Sequence, residues 1–122
     1  MSTLIWIDDH IAGVTLRKPI LEDFGYSVLT ARTAREGLEL ISSKPVHGVI
    51  LDCQLPDMGG EALVQQIRAI NATLPVVVLS RQCGDMSDQL LKGANAFFTK
   101  AQDSFSSVVV KLSELISERD QG

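Results

Sequence analysis

Apolar residues fall in five short runs along this 122-residue chain, at 4–7, 26–29, 46–51, 75–79 and 96–99, and longer amphipathic segments separate them. The runs have the length and the β-branched content of strands, and the segments between them predict helices. Val49, Ile50 and Leu51 are apolar without alternation, as are Val76, Val77, Val78 and Leu79. Strands covered on both faces of a parallel sheet require that pattern. Five β–α alternations around such central strands predict an α/β fold with one core. Leu38 and Ile41 follow a Thr33-Ala34-Arg35-Glu36 capping box, so a helix is expected over 33–44, ending before Pro45. Leu63, Ile67 and Ile70 predict a helix over 61–70, and Val108, Leu112, Leu115 and Ile116 predict another over 107–116. Pro19 interrupts the helical stretch 11–24 and predicts a kink or a late start. Gly25 suits a left-handed helix end. Only the polar tail 117–122 is expected to fray, which leaves an ordered core of about 3–117 in a single domain, 1–122.

Composition narrows the function classes. Fifteen acidic residues against eleven basic ones give a net charge of −4, and no stripe of Lys and Arg forms that could neutralise a nucleic-acid backbone. Direct nucleic-acid binding is not expected. No apolar run approaches the ~20 residues of a membrane span, and the start lacks the basic flank and apolar length of a secretory signal. A cytoplasmic protein with no membrane contact is the expectation. Cys53 and Cys83 are too few for a disulfide framework and read as reduced thiols. No Gly-rich loop follows the first strand, which argues against a dinucleotide or flavin site.

The chemistry concentrates where the strands end. Ligand sites of open parallel sheets lie beyond the carboxyl ends of the strands, and the residues found there are Asp8, Asp9, Asp52, Ser80 and Lys100. Two carboxylates ~4 Å apart repel by roughly 4 kcal/mol at an effective dielectric near 20, so such a group either takes up a proton or binds a cation. Oxygen ligands in this number suit Mg²⁺, which is held by one or two protein carboxylates and completes its shell with water and phosphate oxygens. With a cation in place, a carboxylate can serve as nucleophile toward phosphorus. Asp52, alone at the end of the most apolar strand, is the candidate phosphoacceptor. Lys100 and Ser80 are the candidate partners of the phosphoryl oxygens. Taken singly, Asp9 and Ser80 read as helix caps and Lys100 as a solvated strand end. Their common placement favours the site.

These motifs resemble those of the response-regulator receiver family of two-component signalling. The resemblance rests on Asp8-Asp9-His10, on the stretch from Leu51-Asp52 through Pro56-Asp57 to Gly59-Gly60, on Val78-Leu79-Ser80, and on Gly93-Ala94-Asn95-Ala96-Phe97-Phe98-Thr99-Lys100. It implies a doubly wound (βα)5 flavodoxin-like fold with strand order 2-1-3-4-5 and helices on both faces. It implies that Asp8, Asp9, Asp52 and the Gln54 backbone carbonyl hold Mg²⁺, or Mn²⁺ in its place, and that Asp52 is phosphorylated by a histidine kinase or a histidine phosphotransfer protein. Ser80 and Phe97 match the family's switch pair, although Phe97 is equally read as core packing. The resemblance also implies an output surface on the fourth helix, fifth strand and fifth helix that docks a downstream protein target. Such a protein is a signalling switch and not an enzyme acting on external substrates. An aspartate-nucleophile phosphatase is disfavoured because Gln54, and not a second acid, stands two residues after Asp52.

Three features depart from the family pattern. Arg81 follows Ser80 where a small residue is usual, and its long cation can modulate the site. Ala101 replaces the usual proline after Lys100. The segment between Ser80 and Lys100 is short, with Gly84 and Gly93 bounding a helix of about two turns. The competing reading is a degenerate receiver that acts as a constitutive protein-binding module. His10 and His47 are read as structural.

Overall fold

The computed structural model describes residues 2–81, 92–100 and 103–121, with the side chains of 120 and 121 left aside. Strands β1 (Thr3–Ile7), β2 (Ser27–Ala31), β3 (Gly48–Asp52), β4 (Val76–Ser80) and β5 (Ala96–Thr99) alternate with helices α1 (Ile11–Asp23), α2 (Ala34–Ser43) and α3 (Gly60–Ile70), and α4 (Phe105–Gln121) closes the chain. All pairings are parallel and the order is β2-β1-β3-β4-β5, as the resemblance implied. The short helix expected between Gly84 and Gly93 lies largely outside the described residues, as do Cys83 and Ala101. No described helix is long and apolar enough to cross a membrane.

Side-chain alternation along the strands sorts the core into two layers. Ile5, Ile7, Val49, Leu51, Val76 and Val78 pack with Ala34, Ile41, Leu63, Val64 and Ile67 of α2 and α3. Leu4, Trp6, Ile50, Val77 and Leu79 pack with Val14 and Leu21 of α1 and with Val108, Val109, Leu112 and Ile116 of α4. Both faces of β3 and β4 are therefore buried, which explains their unbroken apolar runs.

Helix ends follow the sequence with informative exceptions. α1 neither starts late nor stops at Pro19, which lies inside it. An interior proline costs ~3 kcal/mol, but Val14 and Leu21 on either side of it are buried, and that packing holds the helix through the break. Gly25 has φ +94° and ends the turn after α1, where a side chain would be strained. Ile70, expected on the buried face of α3, is 46% exposed at the last position of that helix. α4 continues past Ile116 to Gln121.

The N-terminus of α2 is capped from two sources. The Glu36 amide donates to Thr33 Oγ1 at 3.1 Å, the predicted cap, whereas the Glu36 carboxylate accepts from the Arg32 amide at 3.4 Å. The remaining first-turn amides, on Ala34 and Arg35, donate to Asp57 Oδ1 and Oδ2 at 2.9 and 3.1 Å. Asp57 belongs to the loop after β3, so one carboxylate fastens that loop to a neighbouring helix. The Ala34 amide above all, then the Arg35 amide, holds the Asp57 carboxyl below its ordinary value of 3.8. A lowered carboxyl stabilises the fold above its unfolded pKa, and the contribution is lost as pH falls through the lower folded value. Asp57→Ala is expected to cost about 1 kcal/mol at pH 7, as cap losses do. Denaturant titrations in increasingly acid buffer should show the difference from the parent shrinking below the ordinary carboxyl value.

Candidate functional site

Backbone ladders deliver the site residues to one edge. The Asp8 amide donates to the Ala31 carbonyl at 2.9 Å, the Cys53 amide to Leu79 at 3.0 Å and the Lys100 amide to Ser80 at 2.7 Å, so pairing runs one residue beyond β1, β3 and β5. Asp8, Asp52 and Lys100 continue the series of Trp6, Ile50 and Phe98, which faces α1 and α4. Ser80 continues the series of Val76 and Val78 on the opposite face, where Phe97 also packs.

Asp8 and Asp52 are buried, at 4% and 0% exposure. Lys100 Nζ lies 2.9 Å from Asp8 Oδ2 and 3.2 Å from Asp52 Oδ2, so one ammonium bridges two carboxylates. The other oxygens are held by backbone: Asp8 Oδ1 accepts from the His10 amide at 2.9 Å, and Asp52 Oδ1 from the Gln54 amide at 3.0 Å. Burial raises the Asp52 pKa above the ordinary 3.8; the Gln54 amide and Lys100 pull it back, and the Asp8 charge adds to the rise. A single ammonium offsets only one of the two carboxylates, which leaves the centre with an unneutralised negative charge. A donor set of this chemistry fits a hard divalent cation.

Ser80 is fully buried at the end of β4, and Phe97 is half-buried against the α2 and α3 core. Gln54 is exposed in the loop that Gly60 brings close; a Cβ on Gly60 would stand 2.9 Å from the Cys53 Cα. Asp9 is exposed and caps nothing, since His10 occupies the N-cap of α1 and no side chain caps that helix. The carboxylate of Asp9 does not belong to the group that converges. Instead, ligand atoms of Asp8, His10 and Asp52 all lie within 4.8 Å of one another. His10, read as structural from the sequence, thus has a ring nitrogen near this group while its side chain is exposed. His47 does have the structural role, accepting the Thr3 amide at Nδ1 at 2.9 Å. Arg81 reaches the same rim, with Nη2 at 3.0 Å from His10 Nδ1 and also against Nε2. A cavity of about 480 Å³ opens beside Asp8, Asp9, His10 and Lys100, with Trp6, Phe98 and Phe105 on its apolar side.

The model of the response regulator receiver domain matches residues 4–108. This chain belongs to that family. The receiver is 31% identical over 103 residues to the transcriptional regulatory protein GlrR of Escherichia coli K12, covering 82% of this chain and 23% of that protein. It spans about a fifth of the length of the curated relatives it matches. Among solved structures it resembles a CheY-like receiver domain from Methanospirillum hungatei JF-1, with TM-score 0.88 and 25% identity over 99% of this chain and 98% of that one. It also resembles the response regulator TrrA from Thermotoga maritima, in complex with Mg²⁺ and BeF, with TM-score 0.86 and 25% identity over 94% and 99% of the two chains. Receiver domains are signalling switches that interact with histidine kinases or phosphotransfer partners.

The raised Asp52 pKa has a sign that can be measured. A carboxyl whose folded pKa is raised does not weaken the fold below its unfolded pKa, and weakens it as pH rises through the folded value. Asp52→Asn removes the buried charge while Lys100 keeps Asp8, so the variant is expected to be more stable by about 1–3 kcal/mol at neutral pH without divalent ions. Urea denaturation across the acid range should show this gain declining toward low pH.

Proposed function

We propose that this receiver is a phosphorylation switch in which Asp52 accepts a phosphoryl group from a histidine kinase or a histidine phosphotransfer protein. The observation that carries the reading is the Lys100 ammonium seated between the buried carboxylates of Asp8 and Asp52. Asp8, Asp9, Asp52 and the Gln54 backbone carbonyl are the groups proposed to hold Mg²⁺, a reading to which the Mg²⁺ complex of TrrA lends support. Bound Mg²⁺ supplies the positive charge that lets an anionic carboxylate approach an anionic phosphoryl group.

The step itself belongs to side chains. A carboxylate oxygen of Asp52 attacks phosphorus, the bond from phosphorus to the donor's histidine nitrogen breaks, and the departing imidazole takes up a proton. Lys100 transfers its ion pair from the carboxylate to the phosphoryl oxygens, and the Ser80 hydroxyl donates to one of them. Phosphorylation adds charge and three strong acceptors at the end of β3. Ser80 moves toward the phosphoryl group and Phe97, on the same face of the sheet, takes the inward position. Converting the population from mostly off to mostly on requires roughly 5.5 kcal/mol of differential stabilisation, within reach of several charge-assisted contacts. The output is a docking surface for a protein partner.

A second reading, a receiver that docks constitutively, draws on one observation. Arg81 places a guanidinium on His10 at the rim, where it can obstruct the donor. Intact mass after incubation with Mg²⁺ and acetyl phosphate separates the two. One phosphoryl group added to the parent and none to Asp52→Ala is the expected result. No added mass on a parent that binds Mg²⁺ would sink the switch in favour of constitutive docking.

A further inference from the structure

The cavity beside Asp8 and Lys100 has an apolar wall for which the phosphoacceptor chemistry has no use. It lies between α1 and α4, and its volume of about 480 Å³ falls in the ~300–1,000 Å³ of small-molecule sites. Trp6, Leu79, Phe98, Phe105 and Val108 form the apolar side. Trp6 is 2% exposed, and its Nε1 is the one buried side-chain nitrogen or oxygen without a hydrogen-bond partner among the described residues. Phe105 stacks on the indole, with ring centroids 5.3 Å apart and planes inclined by 16°. A stacked ring covers the face of the indole, whereas the N–H lies in the ring plane, so the stack supplies no acceptor. Buried donors ordinarily have one.

Arg17 supplies an independent observation. It is half-buried and lines the same cavity. A Cβ at Gly13 would stand 3.3 Å from Arg17 Nη1, so the guanidinium folds back over the first turn of α1, toward the carboxyl edge of the sheet. No carboxylate pairs with it among the described residues. The other charged groups of the wall are satisfied in other ways. Lys100 bridges Asp8 and Asp52, Asp103 accepts from the Thr99 amide and hydroxyl at 2.8 and 3.2 Å, and Asp9 is exposed to solvent. A half-buried guanidinium without an anion favours a carboxylate, whose two oxygens match its planar fork of donors.

We propose that this cavity binds a small organic acid, a carboxylate on an apolar or aromatic body, with the carboxylate on Arg17, the body against Trp6 and Phe105, and an oxygen accepting from Trp6 Nε1–H. The pocket thus joins an apolar wall to two donors that the protein leaves without acceptors, which is the make-up of a site for an amphipathic anion. The inference is independent of Mg²⁺ and of phosphorylation at Asp52. Asp8 and Lys100 also line the cavity, so an occupant would lie against the charge centre.

The chain has one tryptophan, so the nitrogen–proton correlation spectrum of the labelled full chain holds a single indole Nε1–H signal. Titration with hydrocinnamate, and separately with its uncharged amide, tests the proposal on the parent and on Arg17→Ala. Hydrocinnamate is expected to move the indole signal of the parent downfield to saturation, as a hydrogen bond forms on it. The amide on the parent, and hydrocinnamate on Arg17→Ala, should each bind at least about tenfold more weakly, since each lacks the charge-assisted pair. An indole signal that hydrocinnamate does not move overturns the site. Equal affinities for acid and amide overturn the anionic class of its ligand, and Arg17→Ala binding as tightly as the parent overturns the role of Arg17.

Discussion

The Asp52 carboxylate ends the central strand with no exposed surface, and much of the molecule answers to that placement. An ionised carboxylate out of water costs several kcal/mol unless it is paired and hydrogen-bonded. β5 supplies the pair by carrying Lys100 to the same edge, and the loop after β3 supplies the hydrogen bond through the Gln54 amide. Yet the same ammonium also serves Asp8. Two buried acids and one lysine leave a negative charge uncompensated, so the site is left short of positive charge. On the proposed function, a divalent cation would reverse that sign, and a phosphoryl group would then restore the balance by adding negative charge. Each ligand would prepare the electrostatic condition for the next, which is a physical reason to place a switch at this point of the fold.

The alternation that sorts the core also divides the labour of the site. Asp8, Asp52 and Lys100 continue the series that faces α1 and α4, while Ser80 and Phe97 belong to the series that faces α2 and α3. Val78 pairs with Phe97 and Ser80 with Thr99, so the hydroxyl and the aromatic ring lie on adjacent strands two registers apart. On the proposed switch, a hydroxyl drawn toward Asp52 would thus alter packing on the face of the sheet that meets α2 and α3. Because both layers are close-packed, a displacement there cannot be absorbed locally without moving a neighbour.

Local chemistry was legible in the sequence where the signal itself was local. The unbroken valines and isoleucines of β3 and β4 announced strands buried on both faces, and Thr33 announced its own cap. The acids, Ser80 and Lys100 stood at strand ends, where parallel sheets collect their ligands. Asp57 was not legible as a cap, because its partners, Ala34 and Arg35, are supplied by another helix. Pro19 does not delay the start of α1: its penalty is local, and the burial of Val14 and Leu21 that outweighs it is tertiary.

Rigid and adjustable parts of the site can be separated by what holds them. Asp8 and Asp52 are fixed twice, by ladder bonds along their strands or just beyond and by backbone amides on their carboxylates. The loop after Asp52 is fastened at one end by Gly60 against Cys53 and along its length by Asp57 on α2. The backbone of Lys100 is held by the ladder bond to Ser80, but its ammonium, the His10 ring and the Arg81 guanidinium meet other side chains, on stems that are exposed or half-buried. On the proposed function, the carboxylates that have to stay in place are anchored by backbone, while the cations that would yield to an incoming ligand hang from flexible side chains. That distribution would keep Asp52 preorganised as a nucleophile and leave the cost of admitting a ligand to the rim, where a rotamer change is enough.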